Sequence, residues 1–248
     1  MQDVLLSKDH HILKLQFNRP DRKNALTQSM YQQLADALQS ARNDDDIHAV
    51  LLTGGPDQFT GGNDISDFVK QSNYESALGD LPVAHFIEQL STLTKPVIAE
   101  VNGPAVGIGM TMLFHCDLVY AGPTAYFIAP FVQLGLCSEF AASQTFSAVM
   151  GRQKAMRLLL LGDKVDAQQA YELGFVTEVV KDTATKVTDV LRTLARLSPT
   201  SLQTTKQLML DGASQSTQQL IQAELTAFES LLRSPETQKA MQAFFKKD

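Results

Sequence analysis

Residues 96–110 read PVIAEVNGPAVGIGM, a largely apolar stretch, interrupted by Glu100 and Asn102, that ends in closely spaced glycines. Such a run predicts a strand covered on both faces, because a strand with one wet face alternates apolar and polar residues. Two further stretches repeat the pattern, AVLLTGG at 49–55 and CDLVYAG at 116–122. The segments between them are long enough for helical crossovers, so the first 130 residues are predicted to form an α/β fold.

The flanking segments extend this prediction in both directions. Residues 4–6 and 12–17 predict two short strands in an opening hairpin, and Thr27 is the predicted N-cap of the first helix. After Glu139 the strand signal nearly vanishes apart from FVTEVV at 175–180, and amphipathic periodicity takes over. The predicted helices of this second half are 155–161, 167–173, 187–197, 202–210, 220–232 and 237–245.

Composition excludes several classes of function. The chain has 248 residues, is 44% hydrophobic and carries a net charge of -6, so it can bury a sizeable core but lacks the basic surface that nucleic acid or anionic lipid requires. Its first residues, MQDVLLSKDHHILKLQF, contain no unbroken apolar run, which predicts a cytoplasmic protein without a membrane span. The two cysteines and five histidines show no metal-ligand spacing, so no metal site is expected.

Two glycine-bearing stretches are candidates for anion binding. FTGGNDISDF at 59–68 and NGPAVGIGM at 102–110 each lie near a predicted strand and at the start of a predicted helix, where backbone amides are free. Two such amides converging on one oxygen would form an oxyanion hole for a thioester enolate. The alternative is that the glycines only form tight turns.

A third stretch, APFVQLGLCSEFAAS at 129–143, contains a single carboxylate, Glu139, at the start of a predicted helix. One interpretation is that Ser138 caps this helix and Glu139 favours its positive end. The other is that apolar neighbours desolvate the carboxylate, which raises its pKa and makes it a proton shuttle near neutral pH. Those neighbours are Phe131, Leu134, Leu136 and Phe140.

These stretches, together with NRPDRKNAL at 18–26 and AQQAYELGFVTEVV at 167–180, resemble in order the motifs of the crotonase (enoyl-CoA hydratase/isomerase) family. The resemblance covers essentially the whole chain. It implies an α/β spiral of repeated ββα units with an acyl-CoA site over residues 1–195, followed by a C-terminal helical trimerisation region over 196–248. It also implies a homotrimer or a hexamer built as a dimer of trimers.

The resemblance further assigns site residues by position. The oxyanion amides fall on Asn63 and Ile108, and coenzyme A enters as part of the substrate, so no separate cofactor is implied. The residues implied to bind coenzyme A are Lys23, Ala25, Gly61, Gly62, Asp64 and Ile65. Those implied to line the substrate pocket are Phe68, Phe131 and Leu136. For Lys23, an ordinary surface base is the open alternative to phosphate binding.

The acid/base position indicates which reaction the resemblance implies. The two positions where a hydratase carries carboxylates are Thr111 and Phe131 here, and neither can serve. Glu139, in QLGLCSEFAAS, resembles the Leu-Gly-x-x-Pro-Glu-Gly site of peroxisomal-type Δ3,Δ2-enoyl-CoA isomerases, with Ser138 in place of Pro and Phe140 in place of Gly. An isomerase with Glu139 as its only proton shuttle is therefore expected. An enoyl-CoA hydratase, a CoA-thioester hydrolase and a catalytically silent acyl-CoA-binding protein are the alternatives.

Overall fold

The computed structural model describes residues 2–67 and 81–212. Strands in these ranges are β1 (Val4–Asp9), β2 (Ile12–Phe17), β3 (Ala49–Thr53), β4 (Val97–Val101), β5 (Pro104–Val106), β6 (Leu118–Ala121), β7 (Tyr126–Ile128), β8 (Val165–Asp166) and β9 (Glu178–Val179). Helices are α1 (Gln28–Asn43), α2 (Pro82–Ser91), α3 (Ile108–Thr111), α4 (Ala142–Met150), α5 (Arg152–Leu161), α6 (Ala167–Leu173), α7 (Thr183–Arg196) and α8 (Pro199–Gly212). Short 3₁₀ helices are Pro20–Arg22, Met112–His115 and Val132–Leu134.

The strands form two sheets in this part of the chain. The larger has the order β1-β2-β3-β4-β6-β9, and the smaller has the order β5-β7-β8. In the larger sheet only the β1–β2 hairpin is antiparallel, while β2, β3, β4, β6 and β9 run parallel to their neighbours. The predicted α/β class and the opening hairpin are thus confirmed.

The central strands are buried on both faces, as their continuous apolar runs predict. In β3, Val50 and Leu52 belong to the main core, whereas Ala49 and Leu51 face a second, smaller cluster. The amphipathic helix α7 covers that second face through Val187 and Leu191. The crossovers therefore place structure on both sides of the sheet.

Most predicted helices are present, with small shifts at their ends. Thr27 caps α1, because its Oγ1 accepts a hydrogen bond from the Met30 amide at 3.3 Å. The prediction for 167–173 matches α6, and α5, α7 and α8 begin three to four residues earlier than the apolar spacing indicates. The helices predicted at 220–232 and 237–245 lie outside the described residues, as does most of the predicted trimerisation region. Within residues 2–67 and 81–212, no helix is long and apolar enough to cross a membrane.

Candidate active site

The two glycine-bearing loops leave the carboxyl ends of β3 and β4 and run side by side. Thr60 and Ala105 form a parallel bridge, in which the Thr60 amide donates to Pro104 O at 2.9 Å and the Val106 amide to Thr60 O at 3.1 Å. Gly62 is at φ +90°, and a Cβ there would lie 2.6 Å from Val106 O. Only glycine permits this close approach of the two loops.

This pairing brings the two predicted amides to equivalent positions. Asn63 lies three residues beyond Thr60, and Ile108 lies three residues beyond its bridge partner Ala105. Among the described residues, neither the Asn63 nor the Ile108 backbone N–H has a hydrogen-bond acceptor. Ile108 is buried and Asn63 is half-buried, and two unpaired amides on adjoining loops form a candidate oxyanion hole.

Buried Asn24, in the segment at 18–26, fixes the first of these loops. Its side-chain amide donates to Gly54 O and Phe59 O, at 2.9 and 3.0 Å, and its backbone carbonyl accepts from the Thr60 hydroxyl at 2.6 Å. One buried side chain thus closes both ends of the segment between Gly54 and Thr60. These bonds hold the segment that leads into Asn63.

The carboxyl group of Glu139 has two unlike oxygens. Oε1 accepts a hydrogen bond from the Thr111 hydroxyl at 2.6 Å, whereas Oε2 is buried without a partner among the described residues. Burial raises the pKa of Glu139 from 4.5 to about 7, and the Thr111 hydrogen bond partly opposes that rise. A carboxyl group with this pKa exchanges a proton readily near neutral pH.

The predicted helix start at Glu139 is wrong. α4 begins at Ala142, and Ser138 forms no cap, because Phe140 and Ala141 both adopt left-handed backbone angles, φ +56° and +54°. Each such residue costs about 1 to 2 kcal/mol relative to an ordinary conformation. Glu139 therefore sits on a strained turn before the helix, and its raised pKa comes from burial.

The surroundings of Glu139 also differ from the sequence prediction. Phe131 and Phe140 are buried as expected, at 7% and 4% exposure, but Leu134 and Leu136 are 60% and 45% exposed. The expected enclosure by these two leucines is wrong, because the 3₁₀ turn Val132–Leu134 and the residues after it lie at the surface. Of the three residues expected to line the pocket, Phe68 lies outside the described residues.

Sequence reasoning missed the role of Thr111, which it treated only as a missing carboxylate. Ile108, Thr111 and His115 lie at spacing i, i+3, i+7 on the consecutive helical turns of α3 and Met112–His115, which places them on one face. Ile108 offers its amide, Thr111 binds Glu139, and His115 Nε2 lies 2.8 Å from Phe140 O. That spacing is the sequence signal that identifies them.

Tyr31 links the two halves of the site and was also missed. Its hydroxyl, fully buried in the apolar stripe of α1, donates to Asn63 Oδ1 at 2.6 Å. Burial and then the charge of Glu139 raise the pKa of Tyr31 well above 10. Asn63, Tyr31 and Glu139 thus lie close enough to interact, and a buried tyrosine hydroxyl that needs a partner was the available signal.

Comparison with known proteins decides the family. The family model described as Enoyl-CoA hydratase/isomerase matches residues 7–248. The chain belongs to this family.

Individual members agree with this assignment. Enoyl-CoA delta isomerase 2 of Rattus norvegicus is 37% identical over 246 residues, which cover 97% of this chain and 63% of the relative. The chain thus spans less than two thirds of that relative's length. 1,2-Epoxyphenylacetyl-CoA isomerase of Escherichia coli K12 is 36% identical over 79% of the chain and 76% of its own length. A solved enoyl-CoA hydratase/isomerase of Pseudoalteromonas atlantica T6c has a TM-score of 0.80 at 37% identity, covering 99% of this chain and 98% of its own. The predicted crotonase-like fold is confirmed.

The residues expected to bind coenzyme A come together in this enoyl-CoA hydratase/isomerase family member. Residues 23–26 pair with 61–64: the Gly61 amide donates to Lys23 O at 2.7 Å, and the Leu26 amide to Gly62 O at 2.8 Å. The Lys23 and Ile65 side chains are exposed, whereas Ala25 is half-buried. The Asp64 carboxylate forms an ion pair with Arg19 at 3.1 Å, which stabilises the loop.

Proposed function

We propose that this protein is a Δ3,Δ2-enoyl-CoA isomerase that converts 3-enoyl-CoA into trans-2-enoyl-CoA. The observation that carries the proposal is the Glu139 carboxyl group, with one oxygen held by Thr111, the other buried and unpartnered, and a pKa of about 7. The rat relative named as an enoyl-CoA delta isomerase supports the same substrate class.

The reaction needs one base and one anion site. Ionised Glu139 removes a proton from C2 of the 3-enoyl thioester, and the electron pair moves onto the thioester oxygen to give a dienolate. The Asn63 and Ile108 amides, which have no other acceptor among the described residues, donate to that oxygen. Protonated Glu139 then returns the proton to C4, which leaves the double bond between C2 and C3.

A single carboxyl group favours isomerisation over hydration. Hydration needs one group to activate water and another to deliver a proton, whereas a proton that leaves C2 and returns at C4 needs one shuttle. Within the described residues, burial and the Thr111 hydrogen bond account for the shifted pKa of Glu139, and no second acid contributes. The Thr111 hydroxyl occupies a position where the hydratase branch carries a carboxylate, and it binds Glu139 instead.

Substrate binding completes the proposal. The paired segments 23–26 and 61–64 would hold the nucleotide end of coenzyme A, with exposed Lys23 available for a phosphate. Coenzyme A is here a part of the substrate. Assembly as a homotrimer, or as a hexamer of two trimers, belongs to the same proposal.

The test compares three proteins on trans-3-hexenoyl-CoA: the wild type, Glu139→Gln and Glu88→Gln. Glu88 is exposed on α2, so its substitution is a matched control for loss of one carboxylate. Formation of the conjugated 2-enoyl thioester is followed by ultraviolet absorbance, and chromatography separates it from 3-hydroxyacyl-CoA and from free CoA.

The expected result is 2-enoyl-CoA from the wild type and Glu88→Gln, with a loss of about a hundredfold or more in Glu139→Gln, the magnitude of a lost general base. A parallel assay uses trans-2-hexenoyl-CoA as substrate: if the wild type hydrates it and leaves the 3-enoyl thioester unchanged, the protein is a hydratase. If free CoA accumulates, it is a thioester hydrolase. Binding of the thioester without turnover would contradict any catalytic role.

A further inference from the structure

We propose that His115 is a positioning residue for Glu139. His115 holds the left-handed turn after Glu139, and this turn presents the carboxyl group to the substrate. This inference rests on the proposed function, since it assigns the device that aims the proton shuttle. His115 has no place in the proton transfer itself.

The turn after Glu139 requires support from outside. Phe140 and Ala141 are consecutive residues at φ +56° and +54°, a conformation that side chains with a Cβ rarely adopt. The isomerase segment that this stretch resembles has glycine at the position of Phe140, and glycine adopts positive φ without steric cost. Phenylalanine removes that freedom, so contacts beyond the turn must stabilise the conformation.

His115 makes two contacts that do this. Its Nε2 lies 2.8 Å from Phe140 O, and because a carbonyl only accepts, the nitrogen carries the proton and donates. Its ring also stacks on the Phe140 ring, with centroids 4.3 Å apart and ring planes 20° from parallel. The carbonyl held in this way belongs to the peptide between the two left-handed residues, so one hydrogen bond fixes both.

Neighbouring groups make this arrangement rigid. Phe140 is 4% exposed and packs edge-on against Phe86 of α2, at 6.1 Å between centroids. Burial lowers the pKa of His115 below 6.5, so the ring is neutral at neutral pH and keeps one N–H and one acceptor nitrogen. Thr111, one helical turn before His115, binds the Glu139 carboxyl group itself. The same helical segment thus binds the Phe140 carbonyl of the turn and a carboxyl oxygen of Glu139.

The experiment uses four variants, built from three substitutions chosen for shape. His115→Phe keeps the ring stack and removes the donor, and His115→Gln keeps an N–H donor at similar reach. Ala141→Gly relieves the strain at an exposed position and leaves no cavity. The fourth variant combines His115→Phe with Ala141→Gly. For each, kcat and KM on trans-3-hexenoyl-CoA are measured, together with the Glu139 pKa by carbon-13 NMR of the carboxyl group, assigned with Glu139→Gln.

We expect His115→Phe to lower kcat about tenfold with KM nearly unchanged, as loss of one hydrogen bond predicts, and to move the Glu139 pKa back toward 4.5 as the carboxyl group becomes hydrated. His115→Gln should stay within about threefold of the wild type, and Ala141→Gly should recover at least about threefold of the His115→Phe defect.

An unchanged kcat and an unchanged Glu139 pKa in His115→Phe would overturn the proposal, as would a lower melting temperature with both values intact. Equal defects in the phenylalanine and glutamine variants would also overturn it. The carboxyl titration needs no turnover. If the wild type fails to isomerise the thioester, the proposed function fails, while the pKa of Glu139 in His115→Phe still decides the role of His115.

Discussion

Replacing Glu139 by glutamine should stabilise the folded protein at alkaline pH while it abolishes isomerisation. In the unfolded chain Glu139 ionises near 4.5, whereas burial keeps it protonated to about 7 in the folded state. Between these values the folded state binds more protons than the unfolded state, so the free energy of unfolding falls as pH rises. The gap between the two pKa values corresponds to about 3 kcal/mol, because one pKa unit is worth about 1.36 kcal/mol.

Glutamine is neutral throughout, so the difference between variant and wild type isolates this one group. The reference is the difference in free energy of unfolding between variant and wild type at low pH, where Glu139 is protonated in both the folded and the unfolded state. Relative to that reference, the difference should favour the variant by about 0.8 kcal/mol at pH 5 and by about 3 kcal/mol at pH 8. The chain has no tryptophan, so urea unfolding is followed by far-ultraviolet circular dichroism at one protein concentration. A difference that varies by less than about 0.5 kcal/mol between pH 5 and 8 would refute the desolvated carboxylate, because a hydrated one predicts no such trend.

Two further predictions concern the neighbours of Glu139 and the contact between the loops. Thr111→Val removes the hydrogen bond that lowers the pKa of Glu139, so the midpoint of the pH–rate profile should rise above about 7; an unchanged midpoint would contradict that bond. Gly62→Ala places a Cβ 2.6 Å from Val106 O and separates the two amides, so kcat/KM should fall at least about tenfold, with one oxyanion donor misplaced. Gly151→Ala is its control, since Gly151 also has positive φ, +78°, but has open space around it; equal losses in both variants would show that backbone strain alone is responsible.

The sequence alone predicts the features that depend on local pattern. Apolar runs identify β3, β4 and β6, and the Thr27 cap with its apolar stripe identifies α1. Glu139 stands out because a lone carboxylate in an apolar stretch is costly unless it has a use. Each of these signals is contained within a short stretch of sequence, so recognising it needs no knowledge of the tertiary fold.

The missed features depend on residues that are distant in sequence. Tyr31 and Asn63 are 32 positions apart, and His115 and Phe140 are 25 apart, so only the register of the strands brings them together. The turn at Phe140 was missed for a related reason: a phenylalanine gives no local signal of a positive φ. Its conformation is set by the His115 contact, and the helix start moves with it.

The helical turns from Ile108 to His115 carry the anion donor, the partner of the Glu139 side chain and the support of its turn on one face. A thermal displacement of this segment therefore moves all three groups together, so their positions relative to one another change little. Selection can also adjust the acidity and the aim of the carboxyl group separately, through the side chains at 111 and 115, because changes at these two positions leave the backbone N–H of Ile108 in place.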